Sequence, residues 1–213
     1  MSNGVKKILI LLTFVSIAVV FSGCAKQEEL SVMPLELISK KRVVLIIAYQ
    51  GFQDFEYSET RNVLEKAGAD ITVASSLKGE AQGKLGKKIE VDKTLEEIKA
   101  EDFDALIFIG GPGALEYVDD PLAHQLATQT VNQGKILGAI CIAPEILAKA
   151  GVLKGRKATV WSSAIDRSPI ELLKENGAEY VDQDVVVDKN IITGNGPSAA
   201  SEFGRKIVDF LNQ

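Results

Sequence analysis

The chain has 213 residues, a net charge of −5, 46% hydrophobic residues, one histidine and two cysteines. So mild an acidity, with no basic stripe and no interleaving of aromatic and basic residues, excludes a nucleic-acid binder. One histidine and two cysteines leave too few ligands for a convergent metal centre, so no metal and no other cofactor is expected.

Lys6 and Lys7 precede an apolar run, Ile8 to Phe21, that ends in Ser22-Gly23-Cys24. A basic start, a short apolar stretch and small residues before a cysteine describe a bacterial secretory signal over residues 1–23. The Ser-Gly-Cys ending resembles a lipobox, which implies cleavage before Cys24 and diacylglycerol on its sulfur; a retained N-terminal membrane helix is the alternative. Residues 24–40 are polar, interrupted by Pro34, and read as a tether that reaches roughly 50 Å when extended. The expected location is the cell envelope, outside the cytoplasm, with a lipid anchoring one domain at residues 41–213.

Val43 to Tyr49 is a continuous, branched apolar run, the mark of a strand covered on both faces. Phe55, Val63, Leu64 and Ala67 follow at helical spacing and stop at Gly68, and Ile71 to Ala74 reads as the next strand. Leu77 to Asp92, with Gly79, Gly83 and Gly86, is a loop or a hairpin. A short helix is expected over Leu95 to Lys99, and a buried strand over Ala105 to Ile109 ends in Gly110-Gly111-Pro112-Gly113. Leu122 to Val131 is amphipathic and is closed by Gly134.

The run from Lys135 to Ile140 has strand length and meets Cys141-Ile142-Ala143-Pro144 before the helical pattern Glu145 to Gly151. That order reads as strand, sharp turn, helix, with Cys141 at the corner. The helix N-terminus is expected to favour its thiolate, making it a nucleophile or an oxidation sensor; a core cysteine that merely packs is the plainer alternative. Lys157 to Trp161 is read as a strand, Ile170 to Glu175 as a helix stopped by Gly177, and Val185–Val187 and Ile191–Thr193 as two short strands. Gly194 to Pro197 forms a second glycine loop, and Ser198 is the expected N-cap of the last helix. Alternating strands and helices imply an α/β fold, a three-layer α/β/α sandwich with a mostly parallel central sheet. In such a sheet ligands gather beyond the carboxyl ends of the strands, where Gln50 to Glu56, Gly110 to Gly113 and Cys141-Ile142 should converge.

Glu56, the Gly110-Gly111 turn, the Ala-Ile-Cys-Ile-Ala-Pro corner, the run from Gly151 to Thr159 and Gly196-Pro197 together resemble the ThiJ/PfpI superfamily. The resemblance covers essentially all of residues 41–213 and implies a flavodoxin-like fold with Cys141 on a nucleophile elbow. It further implies that Glu56 lies protonated beside the sulfur, that the Gly111 and Ile142 N–H groups form an oxyanion hole, and that Gly110, Trp161 and Pro197 border the pocket. Read alone, Glu56 is better taken as a solvated carboxylate at a helix start, and Trp161 is equally ordinary core packing.

Relatives with hydrolytic or glyoxalase chemistry commonly carry a histidine after the cysteine or at the end of the following strand. Here those positions hold Ile142 and Trp161, and His124 lies in another amphipathic stretch. A cysteine–histidine peptidase is therefore disfavoured. The resemblance implies a small-molecule electrophile as partner, an α-oxoaldehyde or a peroxide, and a homodimer; the rival reading is a non-enzymatic envelope sensor, chaperone or binding domain.

Overall fold

The structure, a computed structural model, describes residues 40–213. The secretory signal, Cys24 and the tether lie outside the described residues.

From the first described strand, β1 (Arg42–Ile46), the chain runs through β2 (Gln50–Phe52), α1 (Asp54–Lys66) and β3 (Asp70–Ser75). A hairpin of β4 (Gly79–Gly83) and β5 (Lys88–Val91) leads to β6 (Lys93–Thr94), β7 (Ala105–Phe108), α2 (Pro121–Asn132) and β8 (Ile136–Ile140). The remainder is α3 (Pro144–Lys149), β9 (Lys157–Ala158), α4 (Ser168–Glu175), β10 (Glu179–Tyr180), β11 (Val185–Asp188), β12 (Ile191–Gly194) and α5 (Ala200–Leu211).

The central sheet has seven strands in the order β11-β12-β8-β7-β1-β3-β6. Every pairing in it is parallel except β11 with β12. Alternation along β1 divides the core: Val43 and Leu45 pack on the face covered by α1 and α5, while Val44 and Ile46 pack on the face covered by α2 to α4. Both faces being covered, β7 and β8 are buried at every residue. Gly138 lets α5 sit close to the sheet, since a Cβ there would stand 2.7 Å from Ile107 Cδ1 and 3.0 Å from Phe203 Cζ.

Several expectations are corrected. The stretch Gln50 to Glu56, expected as a loop beyond the first strand, has regular structure: Gln50–Phe52 pairs with β4, and Asp54 and Glu56 already belong to the first turn of α1. Phe55, placed on the apolar face by its spacing, is 51% exposed, because the first turn of α1 buries its acidic residues toward the sheet instead. Leu95–Glu97 is one 3-10 turn. The strand expected over Lys157 to Trp161 pairs only at Lys157–Ala158, in a separate two-stranded sheet with β10. Ser198 does not cap α5: it sits in a 3-10 turn, Pro197–Ala199, that precedes the helix. The glycine-rich stretch from Leu77 resolves into the β4–β5 hairpin.

Candidate active site

Cys141 follows β8 directly, and its backbone has φ 64°, a left-handed conformation that costs a side-chain-bearing residue about 1 kcal/mol or more. Neighbouring strands hold it there. Its N–H donates to the Gly194 carbonyl at 2.9 Å, and its own carbonyl accepts the Trp161 N–H at 2.8 Å. The end of β12 and the segment after β9 thus clamp the bend from both sides. This is why Trp161, although beyond the paired part of its strand, arrives beside the sulfur.

Glu56 comes from the opposite direction. Gln53 caps α1, its side chain accepting the Phe55 N–H at 2.7 Å, and its own N–H donates to the Gly110 carbonyl at 2.8 Å. That pins the helix start under the turn after β7 and turns Glu56 fully inward. Its Oε2 accepts the Gly110 N–H at 3.1 Å, Oε1 finds no nitrogen or oxygen donor, and the remaining group facing the carboxyl is the Cys141 sulfur. Gly110 is the wedge between them. A Cβ there would stand 2.5 Å from Cys141 Cβ, 2.6 Å from the Ile140 carbonyl oxygen and 2.8 Å from Glu56 Oε2. Gly111, at φ 104°, has no room for a Cβ either, which would meet the backbone of Gly51 and Phe52.

Both acids hold their protons more tightly than usual. Burial pushes the Glu56 carboxyl up to about 7 against the hydrogen bonds from Cys141 and Gly110. Burial, and then the Glu56 charge, pushes the Cys141 thiol up to about 12, while the Gly111 and Ile142 N–H groups pull it down. The two groups are one coupled pair whose titration belongs to both. The expectation of a thiolate set by a helix N-terminus is therefore corrected. Helix α3 has only six residues and no side-chain cap, and desolvation outweighs it. The pair of backbone donors offsets only part of the burial, and the thiol keeps its proton beside the carboxyl.

The sulfur opens onto a cavity of about 310 Å³ bordered by Gly111, Ile142, Trp161 and Pro197. The structure thus brings Cys141, Glu56, Gly110, Gly111, Ile142, Trp161 and Pro197 together. His124 is elsewhere: its Nε2 lies 2.7 Å from the Val118 carbonyl oxygen, tying α2 to the preceding turn. Gln53, within the stretch expected to converge here, borders the cavity too, and sequence reasoning missed Lys84, Leu115 and Asp166 beside it. It also missed Glu145, a buried carboxyl pushed up to about 7 by desolvation and by the Asp166 charge. None of these carries a local motif; Lys84 lies inside the glycine-rich stretch, and Asp166 in a polar loop.

A larger and more open groove of about 520 Å³ runs between α1 and the hairpin, past Tyr57, Arg61 and Asp92. Two of its cations are already paired, Arg61 with Glu65 and Lys88 with Glu80, and it contains no thiol. The thiol faces the smaller cavity. Among the described residues no cluster of three or more His, Cys, Asp or Glu side chains is placed to hold a metal ion.

Comparison with known proteins places the chain in a family. A deglycase of Thermococcus kodakarensis is 34% identical over 79% of this chain and 98% of its own. A glutathione-independent glyoxalase of Caenorhabditis elegans is 29% identical over 82% of this chain and 91% of its own. The crystal structure of a ThiJ/PfpI domain protein from Brachyspira murdochii superposes with a TM-score of 0.77 at 32% identity, covering 82% of this chain and 98% of that one. The DJ-1/PfpI family description matches residues 41–210. By its sheet order, its cysteine bend and this match over most of its length, the chain belongs to the DJ-1/PfpI family.

Proposed function

We propose that Cys141 adds through sulfur to small reactive carbonyl compounds, α-oxoaldehydes such as methylglyoxal, in a glyoxalase- or deglycase-like reaction. The observation that carries this reading is the meeting of one thiol, one buried carboxyl and two backbone donors at one small cavity. Glu56, as carboxylate, takes the thiol proton as the sulfur bonds to the aldehyde carbon. The resulting oxyanion is received by the Gly111 and Ile142 N–H groups and then protonated to a hemithioacetal. Glu56 next moves the proton of the former aldehyde carbon to its neighbour while the hydroxyl proton passes from the first oxygen to the second, giving a thioester that water hydrolyses to lactate with release of the thiol. Methylglyoxal plus water becomes lactate with no external oxidant or reductant.

Lactate formation from methylglyoxal by the wild type, Cys141→Ala and Glu56→Gln tests the proposal. Loss of at least about a hundredfold in both variants is expected; equal lactate from all three sinks it. The names of the deglycase and glyoxalase relatives favour the same substrate class.

One observation favours a second reading. No imidazole faces the sulfur, His124 being held by Val118. A domain without turnover, sensing peroxide through oxidation of Cys141 to a sulfenic or sulfinic acid or serving as a chaperone or binding module, remains its rival, and the same lactate assay separates them.

The setting is likewise proposed: a bacterial lipoprotein cleaved after residue 23, anchored by a lipid on Cys24 at the cell envelope, carrying residues 41–213 as its catalytic domain and pairing as a homodimer. Loss of membrane retention in Cys24→Ala tests the anchor, and sedimentation of the purified protein tests the dimer.

A further inference from the structure

Lys84 occupies a position that neither the family description nor the relatives' names assign. It stands at the tip of the β4–β5 hairpin, yet it borders the Cys141 cavity, whose apolar walls are Trp161, Leu115, Pro112 and Pro197 and whose other polar side chains are Gln53 and Asp166. The tip is fastened rather than free. Lys84 N–H donates to the Phe52 carbonyl at 2.9 Å, and Gly83 N–H to the Lys87 carbonyl at 2.7 Å. The buried Asp54 carboxylate accepts the N–H groups of Leu85 and Lys87, each at 2.8 Å. Gly83 permits this approach, since a Cβ there would lie 2.5 to 2.7 Å from the Asp54 carboxyl atoms. So built, the tip holds the lysine backbone at the rim while its ammonium has no carboxylate within 4.0 Å among the described residues.

We infer that Lys84 is a specificity residue and that the cavity selects small carbonyl compounds bearing a carboxylate, the ammonium receiving the carboxylate while the sulfur meets the carbonyl. This rests on the reactive thiol of the proposed function. The ammonium reaches the interior electrostatically, since it lowers the proton affinity of Glu56. The opposing charge at the rim, Asp166, is turned to the start of α4, where one of its oxygens accepts Ser168 N–H at 3.0 Å and Ser168 Oγ–H at 2.6 Å. A cavity of about 310 Å³ fits a molecule of a few carbons, short enough for one substrate to span sulfur and ammonium.

Paired alkylating reagents of nearly equal size read this preference without requiring turnover. Iodoacetate is anionic and iodoacetamide neutral; with either, the thiolate bonds to the methylene carbon and iodide leaves with the electron pair. The rate at Cys141 is followed by peptide mass spectrometry on the full chain. The iodoacetate-to-iodoacetamide rate ratio, relative to that of a free small thiol, is expected to fall about fivefold from wild type to Lys84→Gln at low salt and to be restored in Lys84→Arg. An unchanged ratio in Lys84→Gln overturns the assignment of Lys84 and leaves the reactive thiol standing. No modification of Cys141 by either reagent overturns both.

Discussion

Glu56 accepts the Gly110 N–H at 3.1 Å, and the same glycine leaves no space for a side chain between that carboxyl and Cys141. The spacing of acid and sulfur is therefore set by a missing methyl group.

Gly110→Ala should separate the pair. Its Cβ would need the Cys141 Cβ and the Ile140 carbonyl to move, and overpacking of this kind costs about 1–3 kcal/mol. Denaturant unfolding is expected to show that loss, with Cys141 alkylation altered at least about tenfold. Gly134→Ala is the control: at φ 70° with nothing within 4 Å, it meets only backbone strain of about 1 kcal/mol and should leave alkylation unchanged. Equal alkylation in both variants would refute the wedge.

Stability should fall as pH rises from weakly acidic to mildly alkaline. Glu56 and Glu145 are each raised to about 7 by burial from the ordinary 4.5. The folded chain therefore binds more protons than the unfolded one across that window. Their contribution is complete below about 4.5 and is lost as pH passes 7. Glu56→Gln should flatten the urea midpoint against pH, and Glu56→Gln with Glu145→Gln should flatten it further. A slope as steep as wild type in the double variant would show that neither carboxyl is held protonated by the fold.

Asp54→Ala removes the acceptor of two N–H groups at the hairpin tip. A net loss of roughly 1–3 kcal/mol is expected. Amide exchange should quicken at Leu85 and Lys87, with the strands of the central sheet retaining protection. Unchanged exchange at those two residues would contradict the clamp.

His124→Ala should keep methylglyoxal turnover within about twofold of wild type and cost about 1 kcal/mol of stability through the lost Val118 contact. A hundredfold loss of turnover with stability intact would assign this imidazole a chemical role that its position does not suggest.

The buried strands were legible because β1 after Arg42, and β7 and β8 throughout, lack charged and polar side chains, as a doubly covered sheet requires. The cysteine bend was legible from an apolar run breaking at once into Cys141 and Pro144. Other features depend on distant partners. Phe55 matches a helical apolar spacing but faces outward, since Glu56 and Asp54 are claimed by Gly110 and by the hairpin tip. Val160 and Trp161 have strand-like chemistry yet leave the ladder after Ala158, because Trp161 donates instead to the Cys141 carbonyl. The rise in the thiol's proton affinity follows from burial, which no local spacing reports. Lys84 was invisible because its meaning comes from Asp54, thirty residues earlier, and not from its glycine-rich neighbours.

Cys141 holds its bend at positive φ. Glycine or asparagine would occupy the same bend with less torsional penalty, so Cys141→Gly should melt at a higher temperature than a cysteine-to-alanine exchange there. A thiol at this corner is therefore carried at a torsional expense that glycine would not incur.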